Sequence, residues 1–255
     1  MLRMMTLWVA LAFAPRQVKF NMSQSLFWTI WIGILALFIL MLWARSRQLA
    51  QRRAAMEQLG MEMGFAFYAQ PDEGLYKRLA EIQDPIMKKA SGLQLKISAG
   101  SSYKNILLGR AGGGEAVILD RTSGSGQNSN TATVIAFNFE TPLPSFAVYP
   151  ETGLFRVIEK LGFKDIDIDA APDFSKRFFL HGKDEAEIRA LFKPEVTQAF
   201  EALDPKTRLF ITASGPWLVV SNGRVLAVEK LREFVQQAEP LANAIRRATP
   251  VGVFR

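Results

Sequence analysis

The longest uninterrupted apolar segment lies near the N-terminus, where nineteen residues without a charge run from Leu26 to Ala44. At 1.5 Å per residue this length is about 28 Å, close to the hydrocarbon thickness of a bilayer. Trp28 and Trp31 lie near one end and Trp43 near the other, as expected at the two membrane interfaces. A buried core helix usually shows an apolar stripe, whereas this segment is apolar all round. The pattern therefore predicts one transmembrane helix over residues 26–44.

The rest of the chain alternates between short strand-like and helix-like patterns. Residues 45–64 are rich in helix-forming side chains and predict a juxtamembrane helix. Residues 65–255 predict one soluble domain of α+β class, with mainly antiparallel strands and amphipathic helices. The predicted strands are Leu93–Ala99, Asn105–Arg110, Glu115–Arg121, Thr131–Phe139, Arg208–Ala213, Trp217–Ser221 and Arg224–Val228, and the predicted helices are Glu73–Ile82, Glu151–Gly162, one beginning at Asp184, one beginning at Pro194, and Glu229 to Arg247.

Several residues mark where these elements begin and end. Asp184 with Glu187 three residues later resembles a capping box, and Pro194 suits the first position of a helix. Asn222-Gly223 between two strand-like runs predicts a β-hairpin, because this pair accepts the positive φ of a type I′ turn. Pro240 is expected to kink or split the last helix.

The net charge of +7 is confined to the ends of the apolar segment. Residues 1–53 carry seven basic residues and no acidic one, whereas residues 54–255 carry 24 of each. The soluble domain therefore has no basic excess that would attract a phosphate backbone, and nucleic-acid binding is not expected. Cysteine is absent, which excludes disulfides, thiol catalysis and Cys-ligated metals, and no cofactor is expected.

The flanking arginines predict an orientation. Arg45, Arg47, Arg52 and Arg53 follow the apolar segment closely, against Arg16 and Lys19 before it and Arg3 further away. The positive-inside rule then places the C-terminal domain in the cytoplasm, with the anchor in the cell inner membrane. The four arginines are expected to contact anionic lipid headgroups, at roughly 1 kcal/mol each near the surface.

Residues 1–25 form an N-terminal tail with an ambiguous start. An apolar run followed by Ala12-Phe13-Ala14 imitates a secretory signal, but Pro15 would directly follow the cleavage site. Met22 is an alternative start that would leave a short tail before the anchor.

Three features invite a catalytic or ligand-binding interpretation. The loop Ser123–Thr131 contains Gly124-Ser125-Gly126 but lacks the lysine and spacing of a phosphate-binding loop. Asp165, Asp167 and Asp169 alternate with isoleucines, which favours a solvated strand face over a cation site. His181 is the one histidine, and no G-x-S-x-G motif supplies a serine partner. None of these features predicts an enzyme.

An N-terminal anchor occurs here with five short motifs: the Gly124–Gly126 segment, Leu143-Pro144-x-Phe146-x-Val148-x-Pro150, Leu161-Gly162-Phe163, Pro172-Asp173-Phe174-Ser175, and Asp184-Glu185 followed by Arg189 and Leu191-Phe192. This combination resembles a group of uncharacterised bacterial single-pass membrane proteins. The resemblance implies an anchor with one soluble domain and no particular activity. Where similar sequences are expected to carry a basic residue after the Gly-Ser-Gly, this chain has Gln127.

The sequence thus favours a membrane-anchored, non-enzymatic protein whose cytoplasmic domain binds a protein partner, a larger membrane complex or the membrane surface. The alternative is a membrane-bound hydrolase or small-ligand enzyme that uses a cation held by Asp165, Asp167 and Asp169. That alternative requires the three carboxylates to converge in a concave pocket.

Overall fold

The computed structural model of the chain describes residues 24–80, 101–124, 129–151, 165–204 and 207–249. The predicted strand Leu93–Ala99, all but the first residue of the predicted helix Glu151–Gly162, and the N-terminal tail with Met22 lie outside these residues. The chain divides into two units between Ala50 and Gln51. The predicted α+β class, with an apolar N-terminal helix before a soluble domain of antiparallel strands, is confirmed.

The first helix, α1, runs from Gln24 to Met63, so the helical prediction for residues 45–64 agrees with the structure to within one residue. Every described side chain between Trp28 and Ala50 is exposed. The described part of α1 is long and apolar enough to cross a membrane, and none of its most apolar window is buried inside the protein. The exact membrane limits 26–44 stay a prediction.

Six described strands form one antiparallel sheet in which each strand from β1 to β5 pairs with the next and β6 pairs with β4. Side chains alternate between its two faces, as β3 shows: Ala116 and Ile118 belong to the main core, whereas Val117 and Leu119 belong to a second, smaller one. The strands are β1 Ala66–Tyr68, β2 Ser102–Ala111, β3 Gly114–Ser123, β4 Asn130–Pro150, β5 Phe178–Gly182 and β6 Phe210–Ser221.

Strand β4 is the centre of the sheet because it pairs with β3, β5 and β6. Its pairing with β6 shifts register between Asn138 and Phe146, a stretch that contains Pro142 and Pro144. Proline has no N–H to donate to a ladder, so a register irregularity is where a long strand tolerates it. β4 and β6 are each longer than the sequence pattern predicted.

The helices between Pro172 and Glu201 and the last helix cover the main-core face of the sheet, whereas the helix Glu73–Ala80 buries Leu75 and Leu79 in the second core. The side chain of Asp184 accepts a hydrogen bond from the Glu187 N–H, and Pro194 opens its helix, so both helix-start predictions are confirmed. The helices of the domain after α1 are α2 Glu73–Ala80, α3 Pro172–Arg177, α4 Glu185–Leu191, α5 Pro194–Glu201 and α6 Leu231–Ala248, the last preceded by a 3₁₀ turn at Val228–Lys230.

In the C-terminal region, the predicted strand Arg224–Val228 is wrong, and of the two outcomes predicted for Pro240, a kink or a split of the helix, the split does not occur. Residues 224–227 do not form a strand that returns along β6 from Gly223, because their backbone bonds elsewhere: the Thr133 N–H donates to the Arg224 carbonyl. Pro240 does not split α6, which is one helix from Leu231 to Ala248. Proline has no N–H to donate to the carbonyl four positions earlier in the helix. Because Pro240 is exposed, that carbonyl can bond to water instead.

Candidate functional site

A buried carboxylate lies in the middle of the sheet. The alternation of β3 places Asp120 on the same face as Ala116 and Ile118, which are fully buried. Asp120 itself is only 6% exposed. An ionised carboxylate in such a place is very costly unless it is paired and hydrogen-bonded, so its partners define a site.

Asp120 receives hydrogen bonds from three side chains that come from distant parts of the sequence. Arg52 binds it with two parallel bonds, Nε to Oδ2 and Nη2 to Oδ1, both 2.8 Å long. Thr133 Oγ1 donates to Oδ1 at 2.9 Å, and Asn105 Nδ2 donates to Oδ2 at 2.9 Å. We call Arg52, Asn105, Asp120 and Thr133 the Asp120 cluster.

Backbone geometry places each member of the cluster. Thr133 faces Asp120 directly across the pairing of β3 with β4. Asn105 lies in a register shift of β2 with a positive φ of 51°, a conformation that asparagine tolerates better than most residues. The cluster also fixes Leu226, whose N–H donates to Thr133 Oγ1 at 2.9 Å and whose carbonyl accepts from Arg52 Nη1 at 2.6 Å.

The structure separates the four arginines that were predicted to contact the membrane surface. Arg45, Arg47 and Arg53 are exposed, and the Arg47 guanidinium lies 4.2 Å from the centroid of the Trp43 ring. The Arg52 side chain is 17% exposed and bound to Asp120. Membrane contact stays a prediction for the four arginines. The ion pair of Arg52 with Asp120 inside the domain was not predicted from the sequence.

A basic-rimmed pocket of about 770 Å³ lies beside Leu226. Arg208, Arg224 and Lys230 contribute its cations and Glu233 its one carboxylate. None of these three cations has a carboxylate within ion-pair distance among the residues that the structure describes. The remaining lining residues are Thr207, Leu209, Phe210, Asn222, Gly223, Leu226, Phe234 and Gln237.

The three aspartates of residues 165–169 do not converge. Their segment is not a strand and ends in a turn at residues 169–170. Ile166 and Ile168 are buried as predicted, and Asp167 and Asp169 are exposed beside a second cavity of about 370 Å³. Asp165, predicted to be solvated, instead accepts a hydrogen bond from the Leu180 N–H. In the described ranges, no three carboxylates or histidines are grouped so as to hold a metal ion.

Burial raises the pKa of the Asp165 carboxyl from its ordinary 3.8 to about 6, an effect that the charges of Asp167 and Glu151 strengthen and hydrogen bonds from backbone N–H groups oppose. Because the pKa of Asp165 is higher in the folded state, its contribution to the stability of the fold is fully present below pH 3.8. This contribution is lost as the pH rises through about 6.

We expect Asp165→Asn to abolish the loss of stability that ionisation of Asp165 causes as the pH rises. Asparagine keeps an acceptor for the Leu180 N–H and never ionises, so the variant should exceed the wild type in unfolding free energy at pH 7.5 by on the order of 1 kcal/mol, discounted for partial exposure. Urea unfolding at pH 4.5 and pH 7.5 checks this. Asp169→Asn, at an exposed position, is the control, and an equal pH response in wild type and Asp165→Asn would contradict the prediction.

His181 lies in β5, paired in register with Ala147, and its ring stacks on Phe179 at a centroid distance of 6.3 Å. This is the strand-end position that the sequence predicted. The segment 125–128 of the glycine-serine loop lies outside the described residues.

Sequence reasoning missed both the Asp120 cluster and the basic-rimmed pocket. A signal for the cluster existed, because the alternation of residues 115–121 already places Asp120 on an apolar face and a buried carboxylate requires a partner. Nothing in the sequence identified Arg52 as that partner, 68 positions away. The pocket has no motif, since its cations come from three separate segments.

Comparison with known proteins shows a likeness of fold. No protein-family model matches the chain, and no curated protein matches it. Among solved structures, the mycobacterial trehalose monomycolate transport factor A, TtfA, superposes with a TM-score of 0.50 at 14% sequence identity. The match covers 80% of this chain and 98% of that one. At this identity the likeness is one of fold alone.

Proposed function

We propose that this chain is a membrane-anchored, non-enzymatic protein, held in a bacterial inner membrane by one span over residues 26–44, whose domain lies in the cytoplasm and binds a protein partner or the membrane surface. The observation that carries the proposal is the most apolar window of α1, no part of which is buried inside the protein. A helix of this length with no protein to cover its apolar side chains is stable in a lipid bilayer.

The residues that follow the span support membrane contact. Arg45, Arg47 and Arg53 expose their cations within ten positions of Ala44, the end of the apolar segment. Stacking of Arg47 on Trp43 joins a cation to an aromatic ring of the type found at membrane interfaces. The excess of basic residues on the C-terminal flank of the span, four arginines within nine positions against Arg16 and Lys19 and the more distant Arg3 before it, supports a cytoplasmic domain.

The shared fold supports the non-enzymatic class. TtfA is a transport factor for trehalose monomycolate, and we extend to this chain only the idea of an accessory membrane factor, because a fold by itself specifies no cargo. The Asp120 cluster favours a structural role over catalysis, since the oxygens of its carboxylate are all engaged with Arg52, Asn105 and Thr133. The carboxylate-bound cation of the enzyme alternative gains no support, because Asp165, Asp167 and Asp169 do not gather.

The absence of cysteine makes the topology directly testable. In the full chain expressed in a bacterial inner membrane, Lys193→Cys should react with a membrane-impermeant maleimide only after the membrane is disrupted, because Lys193 is exposed on a cytoplasmic domain. Ser23→Cys, on the other side of the span, should react in intact spheroplasts. Release of the chain by alkaline carbonate, or the reverse labelling pattern, would refute the anchor or the orientation.

The same Lys193→Cys chain tests binding when it carries a photoreactive crosslinker. A discrete adduct with one protein, in native membranes, supports the partner form of the proposal, and adducts with lipid alone support the membrane-surface form. If crosslinkers at several exposed positions of the domain give neither a protein adduct nor a lipid adduct, the proposal that the domain binds a partner or the membrane is overturned.

A further inference from the structure

Exposed cations surround the Asp120 cluster, first at the helix that supplies Arg52 and at β2. Arg53 directly follows Arg52, and its side chain is exposed. Lys104 directly precedes Asn105 and is exposed as well. The pairing of β2 with β3 places Lys104 opposite Asp120 itself. The buried ion pair therefore lies beside two exposed positive charges.

Two further cations come from β3 and from the segment after β6. Arg121 follows Asp120 on β3 and is half-buried. Arg224 is exposed, and its backbone carbonyl accepts a hydrogen bond of 3.0 Å from the Thr133 N–H. The strand pairings bring the start of β2, the end of β3, the start of β4 and the end of β6 together here. We call this end of the sheet, with Arg53, Lys104, Arg121 and Arg224, the basic end.

The carboxylates close to the basic end do not neutralise these four cations. Asp120 is bound to Arg52. Asp72, which directly precedes α2, accepts a hydrogen bond from a backbone N–H of that helix. Among the residues that the structure describes, none of the four cations has a carboxylate within ion-pair distance. The basic end therefore presents its positive charge to whatever lies outside the domain.

Acidic residues are concentrated in another part of the domain. Residues 165–204 carry ten acidic and five basic residues, although the chain after residue 53 is neutral as a whole. Strand β5 of this acidic segment pairs with the last residues of β4, whereas Thr133 of the Asp120 cluster lies near the first. Positive and negative charge are therefore separated along β4, and the neutral domain has a basic and an acidic side.

An anionic bilayer surface suits this arrangement better than a small ligand. Anionic headgroups form an extended field that attracts separate cations near the surface and requires no cavity. The basic end also includes the entry of the chain into the domain. Gln51, the first residue of this unit, follows Ala44 by seven positions, a distance of at most about 25 Å even when the chain is extended. The proposed span thus keeps the basic end within reach of the headgroups.

From the separation of charge and the position of the tether, we infer that the basic end is the surface by which the domain docks onto an anionic membrane. Its four cations contact the headgroups, and the acidic segment 165–204 faces away from them. The inference rests on the proposed function and deepens it, because it names anionic lipid as the partner and assigns the part of the domain that binds it.

The test uses the full chain in nanodiscs of phosphatidylcholine with and without anionic phosphatidylglycerol, both containing a lipid with a quencher on its headgroup. One fluorophore is attached through Ser102→Cys at the basic end or through Ala190→Cys on α4, both at exposed positions of a chain without other cysteines. We expect phosphatidylglycerol to increase quenching of the label at position 102 and to leave the label at position 190 unchanged. High salt should remove the increase.

Charge reversal at the basic end should weaken docking. Arg53→Glu with Arg224→Glu should lower the ratio of docked to undocked domain by at least about tenfold, because each cation near an anionic surface contributes to docking. Both side chains are exposed, so the circular dichroism of the domain should match that of the wild type.

Lys183→Glu with Lys193→Glu is the matched control, because it makes the same change of charge at exposed positions of the acidic segment. Equal losses in the two double variants would show an effect of net charge alone and overturn the inference. Stronger quenching at position 190 than at position 102 would overturn it as well, because the domain would then dock by its acidic side.

Recovery of the chain with the nanodisc separates this inference from the proposed function. If the chain is recovered with the nanodisc but phosphatidylglycerol does not change the quenching, the anchor stands and the docking inference fails. If the chain is not recovered with the nanodisc, the anchor itself fails. A crosslink from position 102 to a protein in native membranes, without any response to phosphatidylglycerol, would assign the basic end to an acidic protein partner and overturn docking on lipid.

Discussion

Replacing Arg52 by alanine is expected to destabilise the domain by about 3 kcal/mol, the lower end of the range for removal of one partner of a buried ion pair. The reason is that Asp120, 6% exposed, would lose both bonds to the guanidinium and would keep only those from Asn105 and Thr133. The carbonyl of Leu226 would lose its bond to Arg52 as well. Urea unfolding of the full chain in detergent, followed by circular dichroism of the domain, measures the change.

Arg53→Ala is the matched control for this variant. Arg53 is the next residue, is exposed, and carries the same charge, so its removal should change the unfolding free energy by less than about 0.5 kcal/mol. A second test is the pair Arg52→Met with Asp120→Leu, which removes both charges and should recover much of the lost stability. Similar stabilities of Arg52→Ala and Arg53→Ala would show that the ion pair contributes nothing.

This experiment also divides the four arginines by role. If Arg45, Arg47 and Arg53 serve the membrane surface, their removal should weaken binding of the chain to anionic lipid without changing the stability of the domain. Arg52 should show the opposite behaviour. Sequence position alone could not make this distinction, because Arg52 and Arg53 are adjacent and chemically identical.

Features that depend on local pattern could be predicted from the sequence. The apolar helix, the alternation of β3, the cap at Asp184 and the helix start at Pro194 each depend on residues within a few positions of one another. The fold class follows from such elements taken together. Local pattern failed at Asn222-Gly223, where the turn residues are present but the following segment bonds to Thr133 instead of β6.

Features that depend on distant contacts could not be predicted. Arg52 meets Asp120 only because the end of α1 packs on the sheet through Met56 and Leu59, which are buried in the main core. The pocket needs Arg208, Arg224 and Lys230 from three segments whose arrangement is set by β6 and α6. The Asp120 cluster and the pocket meet at Leu226, so we expect loss of Arg52 to loosen one wall of the pocket.

The second large effect is expected in the aromatic part of the main core. Phe174 is fully buried, and its ring lies 5.3 Å from Phe178, 5.4 Å from Phe200 and 5.6 Å from Phe192. These contacts join α3, β5, α5 and the end of α4, so one side chain supports four elements. Phe174→Ala would leave a cavity among them and should lower the unfolding free energy by about 3–5 kcal/mol.

Phe174→Leu provides the graded comparison, because leucine keeps most of the apolar volume while losing the ring contacts. It should cost clearly less than alanine, since the cost of truncation rises with the volume of the cavity that remains. Tyr68→Ala, at an exposed position on β1, controls for removal of an aromatic ring as such and should change stability little. Urea unfolding gives all three values, and an alanine variant no less stable than the leucine variant would show that the site collapses and that Phe174 does not hold the helices on the sheet.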